Sequence, residues 1–209
     1  MNYTIIDWNL FFDALQSISV IVASVVAVYS INSWRREAKW KRKYELAEEV
    51  LANLYESQQA IRYIRSPIGF QDEGSSRKID ENETPEQTRV YNQAYVVRER
   101  FKNNSDALQK LRSLKYRFIA LFGKENEEHF NKFSQTINQI FFAADEIART
   151  KLGEYGDEKE FNLKILRDNS KIIYAKITDK DNDLIEKEIQ NAVDKIETEC
   201  SKVIGKIRN

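Results

Sequence analysis

The sequence contains few residues that interrupt helices. Its 209 residues include two prolines and six glycines, whereas Glu, Lys, Gln and Leu are common. Because proline lacks a backbone donor and glycine loses more conformational entropy on folding, this composition favours helix over sheet. The single cysteine, Cys200, excludes an internal disulfide and suits a reducing cytoplasm. We therefore predict an all-α fold.

The sequence also lacks an excess of charge of either sign. Lys+Arg and Asp+Glu each number 33, so the formal net charge is zero. Basic residues are concentrated in one run near the N-terminus, and the rest of the chain leans acidic. A nucleic-acid-binding protein would show a basic face elsewhere on the chain. We expect no nucleic-acid partner.

One stretch, from Ala14 to Trp34, has no charged residue. As a helix rising about 1.5 Å per residue it would be roughly 31 Å long, close to the ~30 Å hydrocarbon core of a bilayer. A buried helix of a soluble protein is one alternative, but such a helix usually carries polar residues along one side. A cleaved signal peptide is another, but it needs its basic residues before the apolar run. We predict a single transmembrane helix that is retained.

The charges on the two sides of this stretch differ. Residues 1–13 carry two aspartates and no basic residue, whereas the run RREAKWKRK after Trp34 is strongly basic. Basic flanks stay in the cytoplasm, and tryptophan prefers the membrane interface. We predict a bacterial inner (cytoplasmic) membrane protein with an extracytoplasmic tail at 1–13, a transmembrane helix at 14–34 and a cytosolic domain at 35–209, in contact with anionic headgroups. The predicted membrane-interface residues are Trp34, Arg35, Arg36, Lys39, Trp40, Lys41, Arg42 and Lys43.

The membrane helix is predicted to continue into the cytosol, because no helix-breaking residue occurs from Asp13 to Arg65. Its cytosolic part has apolar or small residues at alternating three- and four-residue spacing, the coiled-coil rhythm of a helix packed along a seam. The seam positions are Tyr44, Ala47, Leu51, Leu54, Gln58 and Ile61. Residues 66–83 are polar and rich in turn residues, and this segment is long for a connection within a domain. We predict a flexible loop there, with an ordered functional loop as the alternative.

The next helix is predicted to begin at Thr84, because Thr84-Pro85-Glu86-Gln87 has the residues of a capping box with proline in the first turn. Apolar residues stay in heptad register from Val90 to Phe122. We predict one unbroken helix that ends at Gly123, which can adopt the backbone conformation of a helix end. The alternative is a break in the polar Asn103–Asp106 segment, with Ser105 capping a second helix.

Three more helical segments complete the predicted bundle. Phenylalanine and isoleucine recur at helical spacing over about 125–151, and isoleucine and valine recur from about 184 to the C-terminus. Residues 178–183 are predicted to be a turn. Residues 157–174 fit either a helix, which we favour, or a hairpin. The result is a bundle of long helices closed by a shorter C-terminal pair.

The chain contains four short motifs: the basic Trp-containing juncture WRREAKWKRKYELAEEVL, the helix end Arg65-Ser66-Pro67, the helix end Leu121-Phe122-Gly123, and the Ile-Ile-Tyr segment with its acidic turn from Ile172 to Asp183. With these motifs in this order, the chain resembles an uncharacterised group of bacterial single-pass membrane proteins. Many members have Trp where this chain has Phe122, and Asn where it has Ser66. The resemblance implies a helical fold and a single-pass topology, and it implies no activity.

No arrangement of residues in the sequence indicates a catalytic or metal site. Residues 179–183 have the aspartate spacing that begins an EF-hand loop, but Leu184 and Gln190 stand where that loop needs Gly and Glu, so we expect an acidic helix cap. His129 is the only histidine and is expected at the surface or partly buried. Cys200 has no evident general base and is expected to be a buried core residue. We predict no enzyme activity, no catalytic residue, no cofactor and no metal.

The sequence instead favours a membrane-anchored helical interaction or oligomerisation module. Ser19, Ala23 and Ala27 are four residues apart and form a small-residue stripe, the predicted homo-oligomer interface. Analogy with small anchored effectors places the module in a bacterial stress or antiviral defence system, as an effector or adaptor with a protein partner. The alternative is a sensor on the cytosolic face, with a ligand pocket between helices. Its pocket would lie beneath the aromatic cluster, which is Phe101, Tyr116, Phe118, Phe130 and Phe133.

Overall fold

A computed structural model describes residues 8–176 and 182–205, which form six α-helices and no strand. This confirms the all-α prediction. A single 3₁₀ turn, Lys124–Asn126, lies between the third and fourth helices. The helices are α1 (Trp8–Ile64), α2 (Pro85–Asn103), α3 (Ser105–Phe122), α4 (Glu127–Lys151), α5 (Lys159–Ile173) and α6 (Leu184–Ile204).

Contacts divide the chain into two units, Met1–Glu45 and Leu46–Asn209, and the division falls inside α1. In the first unit α1 contains an 18-residue window with a mean hydropathy of 2.0, none of which is buried. Serine hydroxyls in this part donate to carbonyls four residues earlier, for example Ser19 Oγ to Leu15 O at 2.8 Å, so they are satisfied within the helix. One N-terminal helix is therefore long and apolar enough to cross a membrane.

The second unit is organised around α4, which packs against α2, α3, α5 and α6. Its core-facing side changes along the helix from large rings to small residues, from Phe130 and Phe133 to Ala144 and Ala148. Small side chains let a neighbouring backbone approach closely, and α4 packs against both α2 and α5. The 15-residue α5 contributes one buried residue, Ile173, and half-buried Ile165, Leu166 and Ile172.

The second half of α1 supplies another wall of this core. Of the predicted seam, Ala47, Leu54, Gln58 and Ile61 are buried and Leu51 is half-buried. Further buried side chains, Leu46, Val50, Ser57 and Ile64, flank the seam and make the buried face of α1 wider than a two-residue heptad stripe. This width is typical of a helix packed in a bundle against several neighbours.

The prediction of one unbroken helix from Thr84 to Phe122 is wrong, and the alternative of a break is correct. Asn104 lies between α2 and α3 with φ −126° and ψ 17°, outside helical geometry. Its side-chain Nδ2 donates to the carbonyl of Arg100 at 2.9 Å, so it competes with the backbone for a helical acceptor. Ser105 is the first residue of α3 and its side chain makes no cap hydrogen bond.

The predicted helix ends at Thr84 and Gly123 are confirmed. The Thr84 hydroxyl accepts from the backbone N–H of Gln87 at 3.2 Å, and the Gln87 side chain accepts from the N–H of Thr84 at 2.8 Å, which completes the capping box. Gly123 has a φ of 115°, which side chains rarely allow, and α3 ends immediately before it. Segment 157–174 is helical as α5 rather than a hairpin. Most of the turn predicted at 178–183 lies outside the described residues.

Cys200 is fully buried in the core on α6, as predicted, and burial raises the pKa of its thiol to about 12. A shift of this size leaves about a thousandfold less thiolate near neutral pH than an ordinary cysteine has. We expect maleimide to label native Cys200 at least that much more slowly than the unfolded chain. The matched control is Ser201→Cys in a Cys200→Ala background, because position 201 is exposed and should be labelled quickly in the native protein. Equal labelling rates at the two positions would contradict the packing of α6.

Candidate functional site

The end of α1 is held by a buried arginine. Arg65 follows Ile64 directly and is fully buried, although arginine is almost never buried without partners. Its Nε donates to the carbonyl of Ile172 at 2.8 Å, and its Nη2 donates to the carbonyl of Lys171 at 3.1 Å. The carbonyls belong to the last turn of α5, where backbone acceptors have no helical partner. The guanidinium therefore satisfies the end of one helix from the end of another.

The charge of Arg65 is balanced by Asp183, with Nη2 and Oδ1 3.0 Å apart and both side chains almost completely buried. Asp183 also accepts from the backbone N–H of Glu186 and of Lys176, each at 3.1 Å, and so caps α6 as predicted for an acidic residue there. Burial acts to raise the pKa of Asp183, but the hydrogen bonds from Arg65 and the two N–H groups, with the arginine charge, outweigh it and lower the pKa. The carboxylate stays ionised, and the ends of α1 and α5 and the start of α6 meet at one ion pair.

A second buried arginine hydrogen-bonds to the turn that follows α1. Arg100, on α2, donates through Nη1 to the carbonyl of Ser66 at 2.6 Å and through Nη2 to that of Ile68 at 2.8 Å. Its Nε donates to a carboxylate oxygen of Glu73 at 3.1 Å. The hydrogen bond from Arg100 is the largest influence on Glu73 and lowers the pKa of that carboxyl. The chain that follows α1 is thus held at two places. Arg65 is bonded to the end of α5 and to Asp183, and the carbonyls of Ser66 and Ile68 are bonded to Arg100.

The rest of the loop between α1 and α2 has its own contacts with α2. Arg77 pairs with Glu83 and donates through Nε to the Asn92 side chain at 3.0 Å. At Gly74, which has a φ of 86°, a side chain would lie 2.0 Å from the backbone oxygen of Asn92, so only glycine fits there. The flexibility predicted for 66–83 stays a prediction.

A cleft of about 350 Å³ opens between α3 and α4, next to the break at Asn104. Four members of the predicted aromatic cluster line it: Phe101, Tyr116, Phe130 and Phe133. The fifth, Phe118, is fully buried and stacks on Phe122 with ring centroids 4.2 Å apart, so it belongs to the core behind the cleft. Polar side chains surround the opening, namely Gln109, Arg112, Lys115, Asn131, Ser134 and Asn138.

Lysine and arginine take different roles at the cleft. Lys115 is mostly buried and already has partners. Its Nζ lies 3.0 Å from the Asn131 side-chain oxygen, to which it donates, and 3.6 Å from a carboxylate oxygen of Glu127. Arg112 lies one turn earlier on α3 and is exposed, and within the described residues it has neither an ion pair nor a hydrogen bond. The cleft therefore combines an apolar floor with one exposed cation, Arg112, that has no ion-pair or hydrogen-bond partner among the described residues. The sequence pattern predicted the rings but not the cation.

The predicted membrane-interface and oligomer-interface residues all lie on α1 in the first unit. Trp34 is 68% exposed, whereas Trp40 is half-buried and stacks on Tyr44 with ring centroids 5.5 Å apart. The charged members of the basic run are exposed except for half-buried Lys43. The stripe residues Ser19, Ala23 and Ala27 are exposed on one face of the helix. Their assignment to a membrane interface and to an oligomer interface stays a prediction.

The remaining candidates of the sequence have structural positions. Within 8–176 and 182–205 no group of three or more His, Cys, Asp or Glu side chains could hold a metal ion. Asp179 and Asp181 lie outside the described residues, and Asp183 is committed to Arg65 and to the α6 cap. His129 is half-buried on the first turn of α4, as expected.

Comparison with protein-family models, with curated proteins and with solved structures finds no match to this chain. The resemblance to bacterial single-pass proteins stays an interpretation of four short motifs. Two of these motifs meet in space, because Arg65 of the Arg-Ser-Pro helix end bonds to Ile172 and Asp183 of the Ile-Ile-Tyr segment and its turn.

We expect Arg65→Met to lower the free energy of unfolding of the second unit by about 3–5 kcal/mol, because it leaves the buried Asp183 carboxylate without its partner. The control is Arg62→Met, one turn earlier on α1, which breaks an ion pair with Glu186 in which the arginine is half exposed. That pair is expected to contribute about 0–1 kcal/mol. Labelling of Cys200 in increasing urea measures both, since this thiol reports on the second unit alone. Equal losses in the two variants would contradict the role of Arg65.

Proposed function

We propose that the protein is a membrane-anchored helical module for interaction and oligomerisation, with a non-enzymatic role. The observation that carries this proposal is the exposure of the apolar part of α1. From Phe11 to Trp34 the large apolar side chains are at least 50% exposed. A continuous apolar surface of this length is not stable in water and needs a cover of lipid or protein.

In this proposal lipid covers residues 14–34, and the basic run that follows lies at the cytoplasmic headgroups of a bacterial inner membrane. Each Lys or Arg near an anionic surface adds about 1 kcal/mol of attraction. Residues 1–13 are then extracytoplasmic and residues 35–209 cytosolic. The exposed indole of Trp34 lies at the end of the apolar stretch, where tryptophan prefers to rest.

We further propose that the chain self-associates through the stripe Ser19, Ala23 and Ala27. The Ser19 hydroxyl is bonded within its own helix, so the stripe presents small, satisfied groups against which a second helix can pack closely. An effector or adaptor role in a bacterial stress or antiviral defence system, with a protein partner on the cytosolic helices, rests on analogy with small anchored effectors.

A second candidate function is ligand sensing on the cytosolic face. The observation that favours it is the cleft of about 350 Å³ between α3 and α4. Ligand pockets typically measure about 300–1,000 Å³ and combine an apolar lining with a few polar groups. A ligand there would contact both sides of the α2–α3 break at Asn104, since Phe101 precedes the break and Leu108 follows it.

We expect a reporter fused after Asn209 to give a cytoplasmic signal, and the protein to remain in the membrane pellet after a carbonate wash. Replacing the basic residues of the run with Gln should mix the two orientations, because the charge difference that sets topology is removed. As the control, replacing the same number of Lys and Arg residues on the exposed surface of α5 and α6 should leave the orientation unchanged. Release of the native protein by carbonate would contradict the anchor, and a periplasmic signal would contradict the orientation.

We expect Ala23→Leu combined with Ala27→Leu to lower the oligomeric order in membranes, because two isobutyl groups would hold the helices apart. Ile21→Leu combined with Val25→Leu is the matched control. At about 100° per residue it places leucines at the same spacing on the opposite face of the helix. Cross-linking in native membranes, followed by sizing, measures the change. If the stripe variant and the control give the same oligomer, self-association uses another surface.

A further inference from the structure

The cleft between α3 and α4 has a charge pattern that selects one kind of occupant. Its lining residues include two cations, Arg112 and Lys115, and no carboxylate. Glu127, the nearest acid to Lys115, pairs with that lysine and does not line the cleft. The uncommitted positive group is Arg112, so the mouth of the cleft attracts anions and repels cations.

The floor of the cleft is built from fixed aromatic rings. Phe101 is held edge to face by Phe141, with centroids 5.3 Å apart and an interplanar angle of 89°. Phe130 packs on Phe118 with centroids 5.2 Å apart. Rings fixed in this way lose little freedom when a further ring packs on them, and aromatic pairs attract beyond the area that they bury.

Another cavity of the second unit does not have these properties. It measures about 370 Å³ and lies between the loop, α2, α4 and the end of α5. Its arginine, Arg100, is already committed to Glu73 and to loop carbonyls, and its lysine, Lys151, donates to Gln93 at 3.0 Å. An anion entering there would have to displace the contacts that fix the loop.

We propose that the α3–α4 cleft binds a small planar aromatic carboxylate. The ring would pack on Phe101 and Tyr116, above the buried rings of Phe130 and Phe133, and the carboxylate would pair with the guanidinium of Arg112, whose forked donors match two carboxylate oxygens. The volume of the cleft lies at the low end of ligand pockets, so it suits one small molecule rather than a peptide helix. This inference rests on the second candidate function, ligand sensing, and names its ligand class.

The test is calorimetric titration of the full chain in phosphatidylcholine nanodiscs, with empty nanodiscs as the blank. Three probes separate the two recognition elements: indole-3-acetate has the ring and the anion, tryptamine has the ring with a cation, and acetate has the anion alone. We expect saturable binding of indole-3-acetate and at least about tenfold weaker binding of the other two, because a charge-assisted contact or the ring packing is lost in each. Equal binding of tryptamine, or no saturable binding of indole-3-acetate, would overturn the proposal.

Two variants locate the binding within the cleft. Arg112→Glu should weaken indole-3-acetate binding at least about tenfold, because it replaces the attractive charge by a repulsive one. The control Lys110→Glu makes the same change in charge at an exposed position of α3 that does not line the cleft. Ser134→Trp should fill the cleft and abolish binding, whereas Gln135→Trp, at the next exposed position, should not. Equal effects of either variant and its control would also overturn the site.

The experiments give different results for a wrong binding site and for a wrong sensing function. Binding that follows the predicted order of probes and variants establishes the site. Cross-linking with and without saturating indole-3-acetate then tests sensing, because a sensor must change its oligomeric order or its partner contacts when the ligand binds. Binding without such a change supports the cleft as an aromatic carboxylate site and contradicts sensing as its function.

Discussion

The second unit depends on one buried guanidinium. Arg65 is the point at which the ends of α1 and α5 and the start of α6 meet, and its side chain is fully buried. A buried charge is tolerated only when its hydrogen bonds and its counter-charge are supplied together, and here helix-end carbonyls supply the first and Asp183 the second. The apolar core fixes which faces of the helices are inside. The ion pair fixes where along their lengths α1, α5 and α6 stop relative to one another, which apolar packing alone would leave adjustable.

Helix positions could be predicted from the sequence, because each helix has its own apolar periodicity and some ends have their own local signal. Thr84 and Gly123 mark ends by chemistry that acts within a few residues, and both predictions hold. The break at Asn104 could not be predicted in the same way. The apolar register continues across it, and the competing hydrogen bond from Asn104 to Arg100 becomes visible only with the backbone in place. Local rules therefore located the helices and failed where a single side chain opposed a longer pattern.

The candidate sites could be predicted only in part, for a related reason. Aromatic spacing placed four of the five cluster residues at the cleft, but Phe118 is fully buried in the core, where it packs on Phe122 and Phe130. The roles of Arg65 and Arg100 were missed because arginine is ordinarily a surface residue and its partners here are remote in sequence. Arg112 carries no local signal at all, since what distinguishes it is the lack of a partner among the described residues.

The separation of Arg65 from Asp183 also sets the order in which the protein can be completed. Asp183 lies 118 residues after Arg65. Ribosomes add about 5–20 residues per second, so roughly 6–24 s pass between the synthesis of the two residues. During that time the guanidinium lacks its counter-charge, and the part of α1 that meets α6 at Gln58 and Arg62 stays uncovered. A chain that terminated before α6 would remain in this state permanently, with part of the apolar face of α1 exposed to water. Among the described helices, α6 is thus the one that completes the cover of α1.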